Sequence, residues 1–287
     1  MLHLELTCGP IASIVATTSS FLECEDTNDY GLLQSAWGNR PGAGYCESLV
    51  HCLRHCGSAT GTRRAPGGHV PERAHWGRGT QLTSDWSNVL YLPCELTDDA
   101  QIDAVFAQIK AELGQLNHLI HCIAFADRAE LQGEFRKISR GGFHTAMDIS
   151  AYSLIAVAQH AAPLMPADQS SVLTLTYMAS ERVVPNYTVM ALAKAALENS
   201  VRYLANDLGP LGIRVNAISA GPVKTASARA ITGFTDMLKQ HAERAPLRRN
   251  ITVEEVGKTA LYLCSDLASG VTGTVQFVDA GYHILGI

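Results

Sequence analysis

LTLTYMASERVVPNYTVMALAKAALE, residues 173–198, holds the pattern from which the fold is read. Its first residues complete an apolar run, Ser171–Tyr177, short and apolar enough on both faces to be a buried strand. Pro185 then introduces an amphipathic stretch, Tyr187–Leu208, with the period of a helix. The same alternation continues in both directions. Upstream lie NVLYLP at Asn88–Pro93 and a helix marked by Ile102, Val105, Phe106, Ile109 and Leu113 and closed by Gly114. Thr97 is expected to cap that helix, with Asp98 and Asp99 in its first turn. The apolar run Leu119–Phe125 and a helix over about Phe143–Leu164 follow. Downstream come strand Ile213–Ser219, a polar stretch Thr225–Arg249 with no assigned element, helix Val253–Leu263 and a last strand Thr274–Val278. Thr252 and Glu255 form a capping box for that helix. Strands of this kind alternating with helices imply an α/β fold, a Rossmann-like doubly wound parallel sheet covered on both faces.

Composition supports a packed chain and narrows its partners. Apolar residues make up 47% and charged residues 17%, enough to build a core. A formal charge of −5 argues against nucleic acid as a partner. No apolar run approaches the roughly 18–20 residues of a spanning helix, and no basic region precedes the short apolar piece Ile11–Val15. A soluble cytoplasmic protein with no membrane partner is expected. Of eight cysteines, Cys46, Cys52 and Cys56 interleave with His51 and His55, but as adjacent doublets without a well-spaced second pair. No metal site is expected from that spacing.

Doubly wound sheets bind ligands beyond the carboxyl ends of their strands. The residues at those places are Cys94-Glu95-Leu96, Cys122 to Ala126, Tyr177-Met178 and Ala220 to Thr225. Lys194 follows Tyr187 by seven residues, which at about 100° each returns it to the same helix face two turns on. A phenol can stabilise a developing oxyanion, and a nearby ammonium can lower its pKa and hold ribose hydroxyls. Alone, such a pair is what any amphipathic helix can carry.

The pair does not stand alone. LIHCIAFADRAEL, DISAYSL, the opening 173–198 stretch, VRYLANDLGP, IRVNAISAGPVKT, APLRR and VTGTVQFVDAGY together resemble the enoyl-acyl-carrier-protein reductases, a divergent branch of the short-chain dehydrogenase/reductases. The resemblance runs from about Asn88 to Gly286. The seven-residue step from Tyr187 to Lys194, with Tyr177 ten residues before Tyr187, is that branch's mark and disfavours a carbonyl-reducing dehydrogenase. The resemblance implies NADH-dependent reduction of a trans-2-enoyl thioester on acyl carrier protein, in fatty acid biosynthesis, by a homotetramer. It implies that Tyr187 hydrogen-bonds the thioester carbonyl, Lys194 holds the nicotinamide ribose and Tyr177 lies against substrate. Glu95 and Leu96 match the pair bordering the adenine, where the family more often has Asp-Val. Cys122, Ile123 and Ala124 match a turn past the cofactor, Ala126 a backbone contact to substrate, and Val223, Lys224 and Thr225 the carboxamide and pyrophosphate segment. Residues Ala226 to Phe234 match a substrate-binding loop.

The front of the chain departs from the family. A first strand, a Gly-containing phosphate turn and a helix should open the fold, and nothing in residues 1–87 reads that way. The codons of Asn39 to Glu47, read one base to the right, are compatible with Ile-Ala-Leu-Val-Leu-Gly-Ile-Ala-Asn or Lys. In that frame the codons of Val50–Arg54 permit Ser-Ile-Ala-Tyr, and those of Gly68 to Ala74 permit Val-Thr-Tyr-Leu-Asn-Glu. Residues 1–80 are therefore read as an anomalous region, out of frame from about 30 or disordered, and residues 81–287 as the catalytic domain. The first two strands and the phosphate loop are expected to be lost or scrambled. Strands 89–92 and 119–124 are expected to have unpaired edges, and cofactor binding to be poor. A working enzyme with a misread sequence and an inactive remnant both remain open.

Overall fold

A computed structural model describes residues 5–6, 12–16, 90–223 and 233–286. Along the chain come β1 (Glu5–Leu6), β2 (Ala12–Ala16), β3 (Leu90–Cys94), α1 (Asp99–Leu113), β4 (His118–His121), α2 (Arg140–Met147) and α3 (Ser153–Ala161). They are followed by β5 (Ser170–Thr176), α4 (Thr188–Leu208), β6 (Ile213–Ala220), α5 (Phe234–Arg244), α6 (Val253–Cys264) and β7 (Val275–Val278). Strands β4, β5, β6 and β7 form a parallel sheet in that order. The parallel ladder follows from the sequence: all four β4 residues are buried, as are six of the seven in β5. Such strands need cover on both faces, which the linking helices supply. Leu197 and Val201 of α4 pack in one cluster with Leu119, Leu154, Val172 and Val215, while Val256, Ala260 and Leu263 of α6 pack against Leu173 and Ile218 in another.

Strand β3 belongs to a second sheet, β1-β2-β3, in which both pairings are antiparallel and Ala12 lies opposite Cys94. Residues 90–94 pair on one side with Ala12–Ala16, and β3 ends that sheet, so among the described residues its other edge has no strand neighbour. Among the described residues β4 has β5 as its strand neighbour and no strand joins it to β3. Leu92, Cys94 and Leu96 nevertheless share the buried cluster of Leu119 and Ile123. The readings placed on residues 30–80 lie outside the described residues.

Several boundaries shift for physical reasons. Asp98, not Thr97, caps α1, accepting from the Ala100 and Gln101 amides. The Thr97 hydroxyl instead donates to Glu95 Oε1 at 3.0 Å. The run Leu119–Phe125 pairs only as far as His121, after which the chain leaves the sheet. The helix expected over 143–164 is interrupted by a π turn at Asp148–Tyr152, an insertion often found at functional sites. The polar stretch ending at Arg249 contains α5, whose buried residues are Leu238 and His241. The Thr252/Glu255 capping box is present.

Candidate active site

The end of β5 gathers the residues singled out from the sequence. Beyond Thr176 the chain stays extended through Tyr177, makes a 3-10 turn at Met178–Ser180, runs to Pro185 and takes a left-handed step at Asn186, φ 60°, a conformation asparagine tolerates better than most residues. That step sets Tyr187 as the N-terminal flanking residue of α4. The rings of Tyr177 and Tyr187 meet edge to face, with centroids 5.1 Å apart. Two turns along α4, the buried Lys194 donates from Nζ to the Leu175 carbonyl at 2.8 Å. The three residues that carry the predicted chemistry are thus gathered on the last residues of one strand and the first turns of one helix.

Charge states follow from burial. Burial pushes the Tyr187 phenol well above its ordinary value, with Tyr177 adding to the effect, and pushes Tyr177 up to about 12, aided by Tyr282 and Asp279. The expectation that an adjacent ammonium lowers the tyrosine is therefore corrected: desolvation dominates and both phenols stay protonated. A protonated phenol can donate to an oxyanion. Burial pulls Lys194 down to about 8, against the opposing influence of Cys122 and then Glu198. It remains mostly cationic at neutral pH.

Other site residues spread around this centre. Ala124 and Ala126 pack with Tyr187 against Val189, Met190 and Ala193. Ile123 is buried in the main core, and Cys122 is half-buried at the β4 end. Glu95 and Leu96 follow β3; Leu96 is buried, and the Glu95 carboxylate is held by the Thr97 amide and hydroxyl. Val223 packs beside Ala280 and Tyr282. Gly221, just before it, runs so close to β7 that an added Cβ would lie 3.1 Å from the Asp279 Cα and from His241 Nε2. Lys224, Thr225 and most of the predicted substrate loop lie outside the described residues.

Four contributors were not singled out from the sequence. Ser150, in the π turn, donates its hydroxyl to the Phe125 carbonyl and accepts from the Phe125 amide, both at 2.9 Å, tying down the turn after β4. His121 is fully buried, 2.9 Å from both Thr174 Oγ1 and Ser153 Oγ, and burial depresses it to about 3, with Lys194 adding to the effect. Met237 of α5 accepts from the Tyr177 hydroxyl at 3.5 Å. Glu198 takes the Thr176 hydroxyl at 2.7 Å. The signal available for Ser150 was its place in DISAYSL; the others depend on partners distant in sequence.

The chain was compared with known proteins. A family model described as Enoyl-(Acyl carrier protein) reductase matches residues 71–283. The Bacillus cereus protein named enoyl-[acyl-carrier-protein] reductase [NADH] FabI is 55% identical over 204 residues, covering 71% of this chain and 79% of that protein. The FabI of Bacillus subtilis is 51% identical over 202 residues, covering 70% and 78%. The solved structure of the Bacillus cereus reductase with NADP+ and indole naphthyridinone superposes with a TM-score of 0.74 at 46% identity, covering 85% of this chain and 93% of that one. FabI from Candidatus Liberibacter asiaticus gives a TM-score of 0.76 at 36% identity, covering 85% and 92%.

Proposed function

The chain belongs to the enoyl-(acyl carrier protein) reductase family, and on that premise we propose that it reduces trans-2-enoyl thioesters carried on acyl carrier protein, with NADH, in cytoplasmic fatty acid biosynthesis. The observation that carries this is the grouping of Tyr177, Tyr187 and Lys194 at the end of β5. The nicotinamide end of the cofactor fits the residues present. An ammonium has three donors, Lys194 gives one to Leu175, and the remainder suit ribose hydroxyls. The cofactor, when bound, supplies hydride for the β-carbon. Tyr187, a protonated phenol, donates to the thioester oxygen as enolate charge develops there. Tyr177 supports that ring edge to face and is assigned to border the acyl chain, and the Ala126 backbone is assigned a contact to substrate. Cys122, Ile123, Ala124, Val223, Lys224 and Thr225 are assigned to the same cofactor's passage, and Glu95 and Leu96 to its adenine end.

The test is NADH oxidation driven by an enoyl thioester on acyl carrier protein. Turnover that collapses in Tyr187→Phe, together with NADH affinity that collapses in Lys194→Ala, supports the assignment. Near-normal values in both variants would overturn it.

A homotetramer is part of the proposal. Phe143, Tyr152, Ile155 and Tyr203 are exposed on neighbouring helical segments, more apolar surface than a solitary chain benefits from leaving in water. Light scattering that finds only monomer would contradict it.

A second reading is a folded remnant that binds NADH poorly. It is supported by the shifted-frame fit of residues 39–74 to the family's phosphate loop and by a family match that starts at residue 71. Sequencing the gene across codons 30–82 and titrating the polypeptide with NADH distinguish the two readings. An uninterrupted frame with tight NADH binding excludes the remnant.

A further inference from the structure

Four consecutive residues at the end of β5 each engage a different partner. Thr174 Oγ1 lies 2.9 Å from His121 Nδ1, the Leu175 carbonyl accepts from Lys194, the Thr176 hydroxyl donates to Glu198 Oε1 at 2.7 Å, and the Tyr177 ring meets Tyr187. Three of these partners lie along α4: Tyr187 flanks its N-terminus, Lys194 follows two turns on and Glu198 one turn after that. The function just proposed employs Tyr187 and Lys194 and leaves Glu198 without a role.

Glu198 is nevertheless an unusual residue to find there. It is 3% exposed and Lys194 is 6% exposed, and with Asp279 they are the Lys, Arg, Asp and Glu residues buried among the described residues. A buried charge is strongly disfavoured unless another charge and hydrogen bonds compensate it. Lys194 and Glu198 are four residues apart, one helical turn, in the spacing that brings side chains onto one face. Lys194 points its bond at a carbonyl and Glu198 takes a hydroxyl, so each is tied to β5 separately.

We propose that Glu198 is a positioning residue for the reductase reaction: its carboxylate, fixed by Thr176, is the buried countercharge that keeps Lys194 a cation aimed at the cofactor ribose. The inference rests on the reading of Lys194 as the ribose ligand. The titratable groups acting on Lys194 are His121 and Cys122 from the end of β4 and Glu198 from its own helix, with the phenols of Tyr177 and Tyr187 at the same end of β5. His121 is neutral above pH 4 and the phenols are protonated, so Glu198 is the carboxylate of the set. Cys122 and Glu198 both oppose the desolvation that draws Lys194 down to about 8.

The test is a 13C NMR titration of the full chain carrying ε-13C lysine, read without cofactor or substrate. The chain has six lysines, and Lys194→Arg identifies the signal. Glu198→Gln keeps an acceptor for Thr176 and removes the charge. The Lys194 midpoint is expected to fall by about one pH unit or more in this variant. Glu198→Asp retains the charge but withdraws it by one methylene, and is expected to produce a smaller fall; it decides the matter if the Gln variant does not fold. A midpoint equal to wild type in the folded variant overturns the proposal. A turnover assay adds a separate readout: in Glu198→Gln the KM for NADH should rise as pH increases from 7, while kcat at saturating NADH changes little. Because the titration needs no turnover, absence of reductase activity would count against the proposed function and leave the Lys194 result to be judged by itself.

Discussion

The two sheets solve the same packing problem by different means, and the difference falls across the proposed cofactor site. In β4 to β7 every pairing is parallel, and continuous ladders such as Ser170–Thr176 against Ile213–Ser219 lock the strand ends in register. Tyr177, Lys194 and the Cys122 to Ala126 turn all hang from those ends. Strand β3, which Glu95 and Leu96 follow, is laddered to β2, and this segment joins the rest through side-chain packing of Leu92, Cys94 and Leu96. Hydrogen-bonded ladders specify position along a strand, because a one-residue slip would turn every side chain to the other face. Packing tolerates small shifts more readily. The side of the proposed site assigned to the nicotinamide is therefore expected to be the rigid side.

The largest expected effect tests that rigidity directly. Leu197, fully buried on α4 beneath the parallel sheet, should cost about 2–5 kcal/mol when changed to Ala, measured by urea unfolding. Leu92→Ala, on the β3 side, should cost less; an equal or larger loss would break the comparison. Next in size is chemistry. Tyr187→Phe should lower turnover by about 10²–10³, the usual cost of losing an oxyanion donor, with the KM for NADH little changed.

A third expectation concerns acid. His121 is depressed by burial to about 3 in the folded chain, whereas an unfolded histidine titrates near 6.5. The unfolded state thus binds more protons between those values, so stability contributed by neutral His121 is present above pH 6.5 and lost as pH falls towards 3. The slope should be about 1.4 kcal/mol per pH unit for this group, and His121→Asn should flatten it in denaturant titrations. The smallest expected effect is at the adenine side. Glu95→Ala should raise the KM for NADH by less than about tenfold, since a polar contact of this kind contributes around 0.5–1.5 kcal/mol. A larger rise than that of Lys194→Ala would invert the ranking of the two sides.

Much of this arrangement was legible in the chain itself. The β5, β6 and α6 boundaries came within one residue because their apolar runs and the Thr252/Glu255 box are strong local signals. Helix α5 was not, because it buries little more than Leu238 and His241 and presents a polar surface elsewhere. The π turn was not, because an inserted residue leaves the apolar spacing of the flanking helices almost intact. The cap lies at Asp98, one position beyond Thr97, because Asp is the better capping residue and the Thr97 hydroxyl is engaged by Glu95.

By itself the sequence determined the alternation of strands and helices, the parallel order they imply, and the family through Tyr177, Tyr187 and Lys194 at their spacing. These are local periods and residue types, carried by the chain whatever it touches. Only the tertiary structure decided that Tyr187 is held protonated rather than activated by Lys194, that His121 is a neutral strut between β5 and α3, and that Glu198 lies buried one turn from the cation. Each depends on desolvation and on hydrogen-bond partners tens of residues away, which come together only when the sheet closes against its helices.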